Sequence, residues 1–262
     1  MLRHSSDLSG TIVKSNKPIS VSSGGDVHFP KSAYDFDCIL SELLPVEHWD
    51  TKFIVPPLYP HSDSFIRIYA FYPNTSVTIR NAMHYKTHNF TRRMFIEEHL
   101  GNEPVVVNSS QAISIVQYAF SEGYDSSLNG DSIMMVVPGI HQFSSDYLFP
   151  TKIDHMEMKH YVAVIIKKIS LSGLRVDGKL LAAKTFPVHF SEEDYVVAVQ
   201  ELRGSFHKLT HTDHTIKFGA LVYGFGYKLG YGFPAGFEFT DVGTSYGIRV
   251  FTNLNSSIIN WI

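Results

Sequence analysis

Apolar residues in this chain come in short runs rich in Val, Ile, Phe and Tyr, broken by Ser, Asn, Asp, Gly or Pro at intervals of about ten residues. Examples are TIV at 11–13, ISV at 19–21, FIV at 53–55, FIRIYA at 65–70, SVTI at 76–79 and VVV at 105–107. A 3.6-residue helical period is almost nowhere sustained, and short helices fit only around 37–44 and 91–100. Such a chain is expected to be all-β, built from antiparallel strands in sandwiches or barrels.

With 262 residues, the chain is long enough to bury about three quarters of the surface it exposes when unfolded, without a metal or disulfide staple. A net charge of -3 and the lack of a basic cluster give no general attraction to nucleic acid. The longest apolar runs, IMMVV at 133–137 and YVAVII at 161–166, fall far short of the roughly 20 residues of a membrane-spanning helix. Cys38 is the one cysteine, so no internal disulfide can form; it reads as a small buried hydrophobe or as half of an intermolecular bridge. The opening MLRHSSDLSG lacks the apolar core of a signal peptide, which leaves an intracellular chain or a piece of a longer secreted one.

A shift of 94 positions lays VKSNKPISV (13–21) on VNSSQAISI (107–115) without a gap. The same shift pairs Trp49 with Phe143, Phe53 with Tyr147 and Pro56 with Pro150. A third, partial copy opens at 209–224. Two tandem antiparallel β-sandwich-like units are therefore expected, at 1–103 and 104–236, the second including closing strands, with 237–262 as a C-terminal extension. Equivalent placement of Trp49 and Phe143 favours core anchoring over ligand stacking.

The closing strands are the stretch ALVYGFGYKLGYGFPAG at 220–236. Its alternation puts aromatics on one strand face and glycines on the other, where a second backbone can approach. A phosphate loop would need a helix next, and FPAG does not start one.

In order, LSGTIVKSNKPISV, SELLPVEHWDTKFIVPPL, AISIVQY, DSIMMVVPGIHQFSSDYLFPT, FGALVYGFG and YGFPAG resemble the N-terminal domain of the IgG-Fc-binding protein family, over about residues 8–236. The resemblance implies a secreted, β-rich module of mucus and matrix proteins, often joined to von Willebrand factor D-type domains. It brings an immunoglobulin or a mucin-like glycoprotein into view as partner, but no motif for Fc contact can be transferred. This chain departs from the family in holding Cys38 where members often carry a cysteine pair.

Other motifs have plainer readings. His211 and His214 with Asp213 could ligate a metal, but they fall in a turn whose counterparts are ordinary polar residues, and a closed site needs three or four ligands. Asp125–Gly130 lacks the glutamate that completes a calcium loop. The G-x-S-x-G match at 243–247 precedes a strand pattern instead of a helix. The carboxylates Glu42 and Glu47, Glu97 and Glu98, and Glu192 to Asp194 sit among polar residues. Sequons occur at Asn74, Asn89, Asn108 and Asn255, either as glycan acceptors or as turn residues.

The expected function is that of a non-enzymatic extracellular binding or scaffold module without cofactor or metal, presenting loops at 24–35, 81–92, 122–130 and 152–159 to a protein or glycoprotein. A lectin-like carbohydrate-binding module is the alternative, and a β-fold hydrolase a third.

Overall fold

A computed structural model describes residues 4, 7–25, 39–60, 64–82, 84–119, 130–151, 157–190, 193–226 and 229–239. The chain is all-β: helix among these residues is limited to short 3₁₀ turns, including Val46–His48 and Ile140–Gln142. A two-stranded ribbon comes first, β1 (Ser22–Gly25) with β2 (Ile39–Glu42). Next come β3 (Asp50–Val55), β4 (Ser64–Ala70), β5 (Thr75–Arg80), β6 (Tyr85–Phe90), β7 (Met94–Leu100), β8 (Val105–Ala119) and β9 (Ile133–Val136). The remaining strands are β10 (Asp146–Pro150), β11 (Met158–Lys167), β12 (Leu174–Val176), β13 (Lys179–Leu180) and β14 (Lys184–Phe190). After them run β15 (Glu193–Leu202), β16 (Phe206–His211), β17 (Gly219–Gly226) and β18 (Leu229–Pro234).

The 15-residue β8 organises the first sheet. Its first half runs between β3 and β5, with Val107 opposite both Phe53 and Ile79, and its second half between β4 and β9. Val105, Val107, Ile113 and Ile115 turn one way and meet Phe53, Val55, Ile66, Ile68, Val77 and Ile79 from the same sheet. A core supplied almost wholly by one sheet requires that sheet to curve around it.

The later strands form two sheets, β14-β15-β11-β17-β18 and β10-β16-β12-β13. They face each other over Tyr147, Phe149, Leu174, Val176 and Leu209 on one side and Val162, Val164, Ala220 and Val222 on the other. The opposite face of the five-stranded sheet, with Tyr161, Ala163, Ile165, Leu221, Tyr223 and Phe225, packs on Ile54, Val106, Ala119, Ile133 and Met135 of the first sheet. The result is three layers with the five-stranded sheet in the middle. Position 103/104 falls between β7 and β8, two strands of one sheet.

Two stretches read from sequence as short helices are otherwise. Within them, 39–42 and 94–100 are β2 and β7, held by ladders to β1 and β4, since tertiary pairing overrides a weak local period. Likewise, the 81–92 stretch expected as a loop contains β6, a polar edge strand on β5. The sites at Cys38, 125–129, 243–247 and Asn255 lie outside the described residues, as does the tail beyond 239.

Glycine is required where layers touch. A Cβ on Gly219 would run into the Phe143 ring, and one on Gly230 would lie 2.5 Å from the main-chain oxygen of Asp131. The ring can shift, whereas the main-chain oxygen beside β9 cannot.

Polar contacts fasten the second 3₁₀ turn to β3. The buried Asp50 carboxylate accepts from the His141 N–H at 2.9 Å, from its own neighbour Thr51 at 2.6 Å and from the Lys52 N–H at 3.4 Å, and it also contacts the His141 ring at 2.8 Å. Gln142 donates to the His48 carbonyl and accepts from the Gly139 N–H at 2.6 Å. Asp50→Ala is expected to cost about 2–3 kcal/mol by leaving the His141 and Thr51 donors without their acceptor. Gly230→Ala should cost about 1–3 kcal/mol through overpacking. Urea unfolding followed by tyrosine and tryptophan fluorescence checks both, with Gly25→Ala, which meets open space, as the neutral control.

Candidate interaction surface

Of the six sequence-predicted anchors, Phe53, Pro56, Phe143 and Tyr147 are buried, while Trp49 and Pro150 are half-buried. Phe53 and Tyr147 are buried in the two internal cores, one in each. Buried Pro56 follows β3, and its carbonyl accepts from Gln117 at 2.9 Å; Pro150 is half-buried at the end of β10. Phe143 is buried against Gly219, whereas Trp49 is half-buried and its Nε1–H donates to the Leu44 carbonyl at 3.0 Å. Trp49 also lines a narrow cleft with Phe53, Ile113 and Gln142 that has no room for a small-molecule ligand.

Several of the candidate titratable residues are engaged in pairs, while Glu192 lies outside the described residues. Glu97 takes the guanidinium of the buried Arg67 at 2.6 Å, and Arg67 also reaches Asp7 at 2.9 Å and Ser9 at 2.9 Å, which ties the N-terminal segment to β4. Glu98 pairs with Lys86 at 2.6 Å and His88 at 2.8 Å; Glu193 pairs with Lys167 at 2.6 Å, and Asp194 with His189 at 3.1 Å. Glu42 accepts from the Ser20 hydroxyl at 2.5 Å. His211 is buried, its ring nitrogens meeting the Ser170 carbonyl at 2.8 Å and the Asp213 N–H at 2.9 Å, while the Asp213 carboxylate caps Thr215. His214 is exposed. The turn is therefore wired into the fold on the His211 side.

One polar pair was not legible in sequence. His207 is buried beneath the four-stranded sheet and contacts Asp177, from the β12–β13 turn, at 2.8 Å and the Arg203 carbonyl at 2.7 Å. The two residues lie 30 positions apart, and only the β12–β16 ladder brings them together. Burial pushes the Asp177 carboxyl up, but the Lys208 N–H and the His207 ring more than offset this and hold it below the usual carboxylate range.

The outward face of this four-stranded sheet is unusual for an exposed surface. Along β10, Tyr147 and Phe149 point inward, so Leu148 points out and is 69% exposed. On β16 the same alternation puts Phe206 outside at 53% exposure. Leu148 lies opposite Lys208, and Pro150 opposite Phe206, which makes Leu148 and Phe206 diagonal neighbours. A second row runs Asp146, Thr210, Arg175, Leu180 across all four strands, and Leu180 is 61% exposed. Apolar side chains thus lie among Asp146, Lys208 and Arg175, with β10 an open sheet edge.

Three sequons fall among the described residues and cluster around β5. Asn74 is exposed in the β4–β5 turn with φ 57°. Asn89 is exposed on the edge strand β6, opposite Ser76, and Asn108 is half-buried in β8, opposite Thr78.

Layered antiparallel sheets with exposed apolar residues on an outer face define an all-β protein with a candidate interaction surface. More particularly, the chain belongs to the IgGFc binding protein family, whose family model matches residues 1–224. No curated protein and no solved structure matches it.

The depressed Asp177 carboxyl has a pH signature. Being held below its unfolded value, it stabilises the fold fully above about pH 4–5, and that contribution drains away as pH falls through the folded value. The stability gap between wild type and Asp177→Asn is therefore expected to narrow as pH falls from about 5 towards 3, as urea titrations at each pH would measure.

Proposed function

We propose that the chain is a non-enzymatic extracellular binding module whose partner is a protein or glycoprotein, docked on the outer face of the β10-β16-β12-β13 sheet. The observation that carries this reading is the pair Leu148 and Phe206, exposed side by side with Lys208 between the rows and Arg175 and Asp146 beyond. Interfaces favour an apolar, aromatic centre with a charged, wet rim. Family membership supports a protein partner of this kind, with an immunoglobulin or a mucin-like glycoprotein as the first candidates. The engagement of Glu97, Glu98, Glu193, Asp194 and His211 in internal pairs supports a role in binding over one in catalysis.

The test is surface plasmon resonance against purified immunoglobulin and mucin, beside a glycan array. Leu148→Asp with Phe206→Asp is expected to weaken protein binding at least about tenfold with an unchanged unfolding midpoint, since truncating a central anchor costs at least about 1.4 kcal/mol. Binding of defined sugars that survives this double substitution favours the lectin-like alternative, for which the 73% exposed Tyr85 is a stacking platform.

An extracellular route also makes Asn74 and Asn89, both exposed, the favoured glycan acceptors, with Asn108 disfavoured by its place in a paired strand. Expressed through a secretory pathway, the chain should lose mass on glycosidase treatment, and Asn74→Gln with Asn89→Gln should remove about two glycans' worth of that shift.

A further inference from the structure

Strand pairing recurs in this chain with a fixed offset. In the ribbon, Ser22, Ser23, Gly24 and Gly25 face Glu42, Ser41, Leu40 and Ile39. Ninety-four residues on, Val116, Gln117, Tyr118 and Ala119 face Val136, Met135, Met134 and Ile133 in the same register. The 3₁₀ turns Val46–His48 and Ile140–Gln142 follow at that offset as well.

What β8 does is clear from its neighbours. It comes after β3, β4 and β5 in sequence and closes them into a sheet, pairing Val107 with Phe53, Ile113 with Ala70 and Ala119 with Ser64. The later strands repeat the arrangement: Leu209 of β16 pairs with Tyr147, Ala220 of β17 with Val164, and Gly226 with Met158. Tyr147, Val164 and Met158 each stand 94 positions after Phe53, Ala70 and Ser64. A closing segment thus follows its set of strands twice.

Residues 11–25 are a third such segment by sequence and by ribbon register, yet among the described residues no strand pairs with 11–20. The main-chain bond there is local, from the Thr11 N–H to the Leu8 carbonyl. Val106, Val107 and Ile113 are 3%, 0% and 0% exposed, whereas Ile12, Val13 and Ile19 at the matching positions are 42%, 58% and 55% exposed. Pro18 matches Ala112, which lies in the gap between β8's pairing to β5 and its pairing to β4. A proline without an N–H fits such a gap.

We infer that residues 11–25 are the closing strand of a further unit of the same kind lying earlier in the same polypeptide. That unit supplies β3-like and β5-like strands along 11–15 and a β4-like strand along 19–25. Phe53 precedes its partner Val107 by 54 residues, and the same spacing puts the partner of Val13 ahead of Met1. This surface is distinct from the Leu148–Phe206 face, and the inference stands whether or not that face binds a partner.

The test compares the 262-residue chain with the longer product of its reading frame that carries the preceding hundred or so residues. Amides of residues 11–15 and 19–25 are expected to exchange at least about 100-fold more slowly in the longer chain. Val13→Asp with Ile19→Asp is expected to leave the unfolding midpoint of the shorter chain unchanged and to lower that of the longer one by about 5 °C or more. Equal exchange in the two chains, a longer chain indifferent to the double substitution, or a reading frame that opens at Met1 overturns the inference.

Discussion

The five-stranded sheet loses water from both faces. Tyr161, Ala163 and Ile165 of β11 point toward the first sheet, and Val162, Val164 and Ile166 point toward the four-stranded one. Its interior strands therefore cannot show the polar–apolar alternation of a half-exposed strand, and YVAVII is apolar throughout. The same double coverage explains β17, where Leu221, Tyr223 and Phe225 serve one interface while Ala220, Val222 and Gly224 serve the other. Burial on two sides leaves room for large rings on one face only if the opposite face is small, which is why glycine and aromatics alternate there.

How a closing segment bends decides the shape around it. In β8 the chain passes from one set of partners to the next through exposed Ser110 and Gln111 and stays one strand, so the sheet curls around its own core. Between β16 and β17 the turn built on His211 and Asp213 intervenes, and the strands on either side separate into two facing sheets. A related pairing scheme thus yields a curled sheet in one place and a sandwich in the other.

Much of this was readable beforehand, for identifiable reasons. Short β-branched runs between turn residues fixed the all-β class, and alternation located the glycine–aromatic hairpin. Edge strands were harder: in β6 the polar residues of YKTHNF face solvent, so the composition of a loop and of an exposed strand is the same. The candidate surface was hidden for a different reason. In DYLFP every central residue is apolar, and sequence gives no sign that Leu148 faces away from Tyr147 and Phe149 until the strand is placed. His207 and Asp177 needed the ladder between β12 and β16 before they could be seen as a pair.

The middle sheet also has a consequence for how the molecule comes apart. Ile54, Val106 and Met135 lie in the same apolar cluster as Tyr161, Leu221 and Tyr223, and Arg80 adds a bond at 3.0 Å to the His189 carbonyl across the same boundary. Neither half can melt without wetting the other's largest side chains. Calorimetric heating should therefore meet a single cooperative block, in contrast to the independent beads of a flexibly linked array.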